Sequence, residues 1–276
     1  MSYRIVADSS SNILKLENRD YKSVPLKILL GEKEFIDDEN LNVKALVEEM
    51  SQSKEKCGTS CPNVFDWLNA FEGADECFAV TITSNLSGCY SAAVQAKNDF
   101  LKNNPNAKIC VIDSLSTGPE MELIIEKLQE LSDLGVEFEE AEKEFRKYMK
   151  KTHLFVSLES LTNLAKNGRV SHMTAKIAGV LGIRVVGTAS DDGYLEPIHK
   201  CRGESKALEV MKKEVLDKGF KGGKLRIAHC ENPLVAEKFK NMILEVFKKS
   251  DIKIRKCAGL CSFYAERGGF IIAFDT

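Results

Sequence analysis

One stretch of the chain decides its fold class: FAVTITSNLSGCYSAAVQAKNDF, residues 78–100. The apolar run Phe78–Ile82 has the length and composition of a buried β-strand, and a helical pattern follows it after a short polar segment. The same order occurs on both sides of this stretch, with strand patterns at Tyr3–Ala7 and Lys108–Ile112 and a helix after Pro119. A β-α-β-α order indicates a parallel sheet that is covered by helices. We therefore predict an α/β fold.

The pattern changes in the second half of the chain, and we place a domain boundary there. Strand patterns at Arg184–Thr188 and Leu195–His199 flank Asp191-Asp192-Gly193, which is a strong hairpin signal. Helix and strand patterns then alternate up to the C-terminus. We expect residues 1–150 to form the parallel-sheet domain. Residues 151–276 are expected to form a smaller α/β domain with a mixed or antiparallel sheet.

Composition and charge narrow the classes of protein to be considered. The 276 residues contain 39 Lys and Arg against 41 Asp and Glu, which gives a formal charge of −2. This nearly neutral, well-mixed charge argues against a general electrostatic binder of nucleic acid. No apolar run approaches the roughly 20 residues needed to cross a bilayer, so we expect no stable membrane insertion. The first apolar stretch ends at Asp8 and does not resemble a signal peptide, so we expect a cytoplasmic protein.

The nine cysteines are interpreted as reduced thiols, because an odd count without an export signal does not suggest a disulfide framework. Two C-x3-C pairs, Cys57/Cys61 and Cys257/Cys261, have a spacing that structural zinc sites allow. A zinc-bearing regulatory protein is therefore one alternative. Against it, Cys61 precedes Pro62 in a Ser/Thr-rich stretch, and no histidine is close to either pair. We expect no bound metal.

Four polar clusters stand where predicted strands end or predicted helices begin. They are Asp8-Ser9-Ser10-Ser11, Thr59-Ser60-Cys61-Pro62, Thr83-Ser84-Asn85-Leu86-Ser87-Gly88 and Asp113-Ser114. Ligands of open parallel sheets bind beyond the carboxyl ends of the strands, and hydroxyls with free N–H groups at helix starts suit an anion. The clusters predict a carboxylate or phosphate site that is built from neutral donors. The alternative is that each Ser, Thr or Asp is only an N-cap.

Two residues of the second half are candidates for the same site. Arg169 lies in a Gly-Arg turn from which a guanidinium can face an anion, and Tyr264 precedes the last strand and supplies a phenolic hydroxyl. The alternatives are a solvated arginine and a packing tyrosine. No Gly-x-Gly-x-x-Gly follows a strand and no Walker motif occurs, so a nucleotide is not indicated. An enzyme that acts on a small anionic substrate through the Ser/Thr cluster is the alternative function, although a nucleophilic Ser87 would need a base and the four histidines are distant in sequence.

Six motifs, in order along almost the whole chain, resemble the DegV family of bacterial fatty-acid-binding proteins. The motifs are Val6-Ala7-Asp8-Ser9-Ser10, Thr59-Ser60-Cys61-Pro62, Thr83-Ser84-Asn85-Leu86-Ser87-Gly88-Cys89-Tyr90-Ser91-Ala92, Val111-Ile112-Asp113-Ser114, Asn167-Gly168-Arg169-Val170-Ser171 and Cys201-Arg202-Gly203.

The resemblance implies a two-domain α/β fold with one long-chain fatty acid buried between the domains. The carboxylate would be held by the hydroxyls of Thr59 and of Ser87 or Ser84, with Arg169 in support. The full set of expected carboxylate-binding residues is Thr59, Ser60, Ser84, Ser87, Gly88, Arg169 and Tyr264, with Asp8, Ser9 and Ser114 as supporting residues.

The resemblance also implies a non-catalytic carrier. Proteins of this kind present the fatty acid to a separate fatty acid kinase, which phosphorylates the carboxylate for phospholipid synthesis, so the carrier itself needs no cofactor. Many members have His-Thr-Gly-Pro-Gly before the final strand, with a histidine that contacts the carboxylate. Here Tyr264-Ala265-Glu266-Arg267-Gly268 occupies that place, so Tyr264 replaces the histidine or its role is absent. The usual Ser-Gly-Thr is Ser87-Gly88-Cys89, which removes one hydroxyl.

Overall fold

The computed structural model describes residues 3–53, 55–171 and 182–276. The strands of these residues are, in chain order, β1 (Arg4–Asp8), β2 (Tyr21–Val24), β3 (Lys27–Leu30), β4 (Lys33–Ile36), β5 (Cys57–Ser60), β6 (Glu76–Thr81), β7 (Lys108–Asp113), β8 (Thr152–Leu158), β9 (Ile183–Ala189), β10 (Leu195–Arg202), β11 (Lys224–His229), β12 (Asp251–Lys256) and β13 (Phe270–Asp275). The α-helices of the same residues are α1 (Val43–Gln52), α2 (Val64–Phe71), α3 (Cys89–Asn103), α4 (Pro119–Asp133), α5 (Phe138–Met149), α6 (Thr162–Lys166), α7 (Glu204–Asp217), α8 (Pro233–Leu244) and α9 (Gly259–Ala265).

The first half of the chain builds a parallel sheet of four strands in the order β2-β1-β6-β7. β1 and β6 lie at its centre and are buried on both faces, in keeping with their continuous apolar runs. Helix α5 packs on the sheet through Phe138, whose ring stacks on Phe78 of β6 at a centroid distance of 4.3 Å. Trp67 and Phe71 of α2 pack with α3 in the same core. The predicted parallel sheet is confirmed.

The first half also contains a small antiparallel sheet of three strands in the order β4-β3-β5. Pro25 lacks an N–H group, and it lies between β2 and β3, so the chain leaves the parallel sheet at this point. The last strand of the small sheet, β5, carries Thr59 and Ser60. These two residues therefore lie on a strand, and only Cys61 and Pro62 of their cluster lie on the approach to α2.

The second half builds a mixed sheet of six strands in the order β10-β9-β8-β13-β11-β12. The β11–β12 pair is parallel, and the other neighbouring pairs are antiparallel. The predicted hairpin joins β9 to β10, and Gly193 takes a φ of 79° at its turn. Helices α7 and α8 cover this sheet. The predicted mixed sheet is confirmed, and the molecule has a two-domain α/β fold.

Two helices join the halves. Helix α4 packs against β1 and β6 and also against β8, β11 and β13. Helix α9 lies between β12 and β13 in the sequence but packs against α1 and β3. The buried carboxylate of Asp37 fixes its start by accepting hydrogen bonds from the N–H groups of Gly259 at 2.6 Å and Leu260 at 2.9 Å. The predicted boundary at residue 150 falls between α5 and β8. It stays a prediction, because α9 belongs to the second half by sequence but packs on α1 and β3 of the first half.

Candidate ligand-binding site

A cavity of about 320 Å³ lies where the two halves meet. Leu154, Val156 and Leu158 line it together, because alternate residues of β8 point to one face of the sheet. The remaining apolar lining comes from both halves of the chain: Leu26, Ile82, Leu86, Leu164, Ala189, Leu195, Leu260, Ala265 and Ile271. An apolar cavity of this kind suits a ligand with a long hydrocarbon portion.

Three polar side chains from separate parts of the chain meet at the cavity. The hydroxyls of Thr59 on β5 and Tyr264 on α9 are 2.7 Å apart and hydrogen-bonded. Burial raises the pKa of Tyr264, while the Thr59 hydrogen bond and the charge of Arg169 act in the opposite direction. The Arg169 guanidinium is held by backbone carbonyls, since its Nε donates to the oxygen of Leu86 at 3.1 Å and one Nη donates to that of Asn167. This arrangement presents two hydroxyls and one positive charge to a ligand.

The segment that leads into α3 forms the adjoining part of the wall, with Ser87 and Gly88. The Ser87 hydroxyl donates to the Cys89 thiol at 3.2 Å. A Cβ atom added to Gly88 would lie 3.1 Å from the Cys61 sulfur, so the close approach of these two loops favours glycine. Ser60 and Cys61, which also line the cavity, are exposed to solvent. The polar end of the cavity therefore opens at the surface.

The other four predicted residues lie outside the cavity lining and have capping or loop contacts. Asp8 is fully buried and accepts hydrogen bonds from the N–H groups of Ile82 at 2.7 Å and Ser10 at 3.1 Å. Burial raises its pKa to about 6, although these hydrogen bonds act in the opposite direction. Ser9 accepts from the N–H of Leu26, Ser114 bonds the backbone of Ser116, and exposed Ser84 donates its N–H to Asp113. The Asp8–Ser10 and Ser114–Ser116 contacts are those of a cap and a turn, whereas the other contacts join loops that are distant in the sequence.

Several lining residues were not singled out as site residues in the sequence. The hydroxyl residues Thr83, Ser116 and Thr117 follow β6 and β7, and Gly193 and Tyr194 come from the β9–β10 hairpin. A Cβ atom on Gly193 would overlap the Thr83 hydroxyl, and Asn85 Nδ2 donates to the Asp192 oxygen at 2.5 Å. The hairpin tip of the second domain thus contacts the loop after β6 of the first. The turn was visible in the sequence, but its contact with another domain has no local signal.

The part of the chain that the structure describes contains neither a cluster of metal-ligating side chains nor a membrane-spanning helix. Across residues 3–53, 55–171 and 182–276, no group of three or more His, Cys, Asp and Glu side chains is placed to hold a metal ion. All nine cysteines are free thiols, and Cys61 is exposed whereas Cys257 and Cys261 are buried. Within the same residues no helix is both long enough and apolar enough to cross a membrane.

Comparison with known proteins places this fold and cavity in a family. The model of the DegV family, described as a family of uncharacterised proteins, matches residues 2–275. The chain belongs to the DegV family. A DegV domain-containing protein of Streptococcus pneumoniae is 40% identical over 100% of this chain and 99% of its own length.

Solved DegV structures superpose on the whole chain. A DegV family protein from Eubacterium eligens loaded with heptadecanoic acid has a TM-score of 0.97, with 46% identity and 99% of each chain covered. The Fatty Acid Kinase (Fak) B3 protein of Streptococcus pneumoniae loaded with linoleic acid also has a TM-score of 0.97, with 40% identity and 100% of this chain and 99% of that chain covered. Two DegV proteins similar to this chain thus carry fatty acids.

Proposed function

We propose that this DegV protein binds one long-chain fatty acid and presents its carboxylate to a separate fatty acid kinase. The observation that carries the proposal is the apolar cavity between the domains with Thr59, Tyr264 and Arg169 together in its wall. The fatty acids in the two similar DegV structures support the class of ligand. One of these proteins is named as the B3 protein of a fatty acid kinase, which supports a kinase as the partner.

The apolar wall supplies the affinity in this proposal. Burial of about sixteen methylenes at about 0.8 kcal/mol each gives a gross gain on the order of 10 kcal/mol, before the costs of association. The wall has no charged residue except Arg169 among its described lining residues, so the chain of the ligand meets side chains that match it. The fatty acid would lie with its tail against β8.

The polar groups supply the orientation. A carboxylate that leaves water needs hydrogen-bond donors or neutralisation. While the Thr59 and Tyr264 hydroxyls stay bonded to each other, one of them has its proton free for the carboxylate. Ser87 adds a hydroxyl that can turn from the Cys89 thiol towards the ligand, and Arg169 adds positive charge. Because Ser60 and Gly88 at this end are exposed, a bound carboxylate stays within reach of a partner enzyme.

The geometry favours a carrier over an enzyme that uses Ser87 as a nucleophile. The Ser87 hydroxyl donates to the Cys89 thiol, and burial raises the pKa of that thiol well above its usual value. A neutral thiol does not take the proton of an attacking serine. The phosphoryl transfer would then belong to the kinase, and a cytoplasmic location, where ATP is available, is part of the proposal.

Native mass spectrometry with analysis of the extracted lipid tests the proposal. We expect one fatty acid per chain in the wild-type protein. The double variant Thr59→Ala/Ser87→Ala should retain less fatty acid, whereas Ser84→Ala, a matched control outside the cavity wall, should retain as much as the wild type. A wild-type protein that is empty and refuses added fatty acid would contradict the ligand. Incubation with a DegV-partner kinase and ATP should convert the bound acid to acyl phosphate, and no conversion would contradict the partner.

A further inference from the structure

Glu266 has a backbone conformation that is unusual for its residue type. It directly follows α9 with φ of 54° and ψ of 174°. This region of backbone space is essentially restricted to glycine, because a Cβ atom is strained there. Surrounding contacts must hold the residue in place.

Those contacts connect Glu266 to α6. Its Oε1 accepts hydrogen bonds from the Ser160 hydroxyl at 2.9 Å and from the N–H of Asn163, in the first turn of α6, at 3.1 Å. A second hydrogen bond joins the same two helices, since Nδ2 of the buried Asn163 side chain donates to the carbonyl of Phe263 on α9 at 2.9 Å. The end of α9 and the start of α6 are therefore fixed to each other by reciprocal hydrogen bonds.

Both helices carry residues of the candidate site. Tyr264 precedes Glu266 by two residues, at the end of α9. Asn167 at the end of α6 donates to the Asn163 carbonyl through its N–H at 3.2 Å and its Nδ2 at 2.8 Å. The N–H of Arg169 donates to the Leu164 carbonyl at 2.7 Å, and its guanidinium donates to the Asn167 carbonyl. Arg169 is therefore positioned by the helix that Glu266 caps.

We infer that Glu266 is a positioning residue, which holds Arg169 and Tyr264 in register and thereby sets the preference of the cavity for a carboxylate over an uncharged head group. Glu266 does this from outside the cavity, because it does not line that wall and instead lines a separate pocket with Asn163 and Lys166. The inference rests on the proposed fatty-acid binding.

Two ligands with the same tail separate head-group effects from tail effects. Affinities for heptadecanoic acid and 1-heptadecanol are measured by displacement of a fluorescent fatty acid. Glu266→Gly keeps a residue that accepts the backbone conformation and removes the side-chain hydrogen bonds. We expect it to lower the acid-to-alcohol affinity ratio by about tenfold, the size of one lost hydrogen bond to a charged group, with the alcohol affinity unchanged. Glu266→Gln keeps the Oε1 acceptor and should retain the wild-type ratio.

Two further variants make the result decisive. Leu195→Ala, in the apolar wall, should weaken acid and alcohol alike. In an Arg169→Gln background, Glu266→Gly should have no further effect on the ratio, because the charge of Arg169 distinguishes the acid from the alcohol, whereas the Tyr264 hydroxyl can bond either head group. If Glu266→Gly does not fold, Glu266→Asp, whose side chain is too short to reach Asn163, takes its place.

Three results overturn the inference: an acid-to-alcohol ratio that Glu266→Gly leaves unchanged, an equal loss of affinity for both ligands, or losses that add up in the Arg169→Gln/Glu266→Gly double variant. If the wild-type protein binds neither ligand, the proposed function is overturned as well. If the wild type binds the acid and Glu266→Gly has the same preference for it, only the inference is overturned.

Discussion

Removal of the Glu126 carboxylate should destabilise the molecule strongly, because it takes from a buried arginine the less exposed of its two carboxylate partners and leaves its Nε without an acceptor. Arg226 on β11 is fully buried, and Glu126 on α4 accepts from its Nε at 3.0 Å and its Nη2 at 2.6 Å. Asp251 accepts from the same Nη2 at 2.6 Å. Breaking one partner of a buried ion pair costs about 3–5 kcal/mol. With an unfolding entropy of about 2.1 cal/mol/K per residue, this corresponds to a Tm lower by about 5–9 °C for Glu126→Ala.

The pH dependence of the same contribution has a definite sign. Burial raises the pKa of Glu126, but the hydrogen bonds from Arg226 and Lys253 outweigh it and hold the pKa below its usual 4.5. The stabilisation is therefore present above the unfolded-state pKa and is lost as the pH falls through the native one. The difference in unfolding free energy between wild type and Glu126→Ala should be full at neutral pH and should shrink in acid.

Urea unfolding of four proteins checks the reasoning. Glu126→Leu/Arg226→Met replaces the pair by apolar groups and should be close to the wild type in stability, since no buried charge is left unpaired and Asp251 and Lys253, which lose a partner, are half-exposed to water. Glu130→Ala, one turn further along α4, removes a partly exposed partner of Lys224 and should change stability by less than about 1 kcal/mol. A loss for Glu126→Ala no larger than that of Glu130→Ala would refute the reasoning, and so would a double variant as unstable as the single one.

Three further predictions concern the site and its supports. Tyr264→Phe removes the hydroxyl that bonds Thr59, and it should weaken heptadecanoic acid binding by about three- to tenfold in the displacement assay, the size of one hydrogen bond; unchanged binding would contradict a role for this hydroxyl. Burial raises the pKa of Asp8 and of Asp37 to about 6 from the ordinary 3.8. Because the folded state then binds protons more tightly than the unfolded state, the contribution of both groups to the unfolding free energy should grow as the pH falls from about 6 to about 4. Asp37→Asn should make this pH dependence weaker in urea titrations. Gly193→Ala places a Cβ atom against the Thr83 hydroxyl at a position with positive φ, so it should disturb the contact between the hairpin tip and the loop after β6. We expect faster release of bound fatty acid in stopped-flow measurements, and an unchanged release rate would contradict a role of the hairpin tip in ligand retention.

The sheets could be predicted from the sequence because their signals are local. The runs at Phe78–Ile82 and Lys108–Ile112 are continuous and apolar, as strands buried on both faces must be, and β6 and β7 lie side by side in parallel. Asp191-Asp192-Gly193 supplied the turn chemistry of a hairpin, and β9 and β10 are joined there. Such signals need only the residues next to each other in the chain.

The site was predicted less completely because its residues meet through tertiary contacts. Each polar cluster has the same local signature whether it caps a turn or lines a cavity, so Ser84 and Ser87 could not be distinguished before the packing of the two domains was known. Helix α9 shows the same limit. Its start has no side-chain cap of its own in the sequence, because the cap is supplied by Asp37, 222 residues earlier.

The dependence of α9 on Asp37 also explains why Tyr264 could be named but not placed. A tyrosine before a final strand has a local alternative as a packing residue, and its aromatic ring does contact Phe263 at a centroid distance of 4.9 Å. Its hydroxyl meets Thr59 only because one end of α9 is fixed by Asp37 and the other by Glu266, from opposite ends of the sequence. Asp37 and the partners of Glu266, Ser160 and Asn163, are all distant from Tyr264 in the sequence, so the head-group end of the cavity depends on the assembled fold. Variants at Asp37 and Glu266 should therefore alter ligand preference without a change in any residue that touches the ligand.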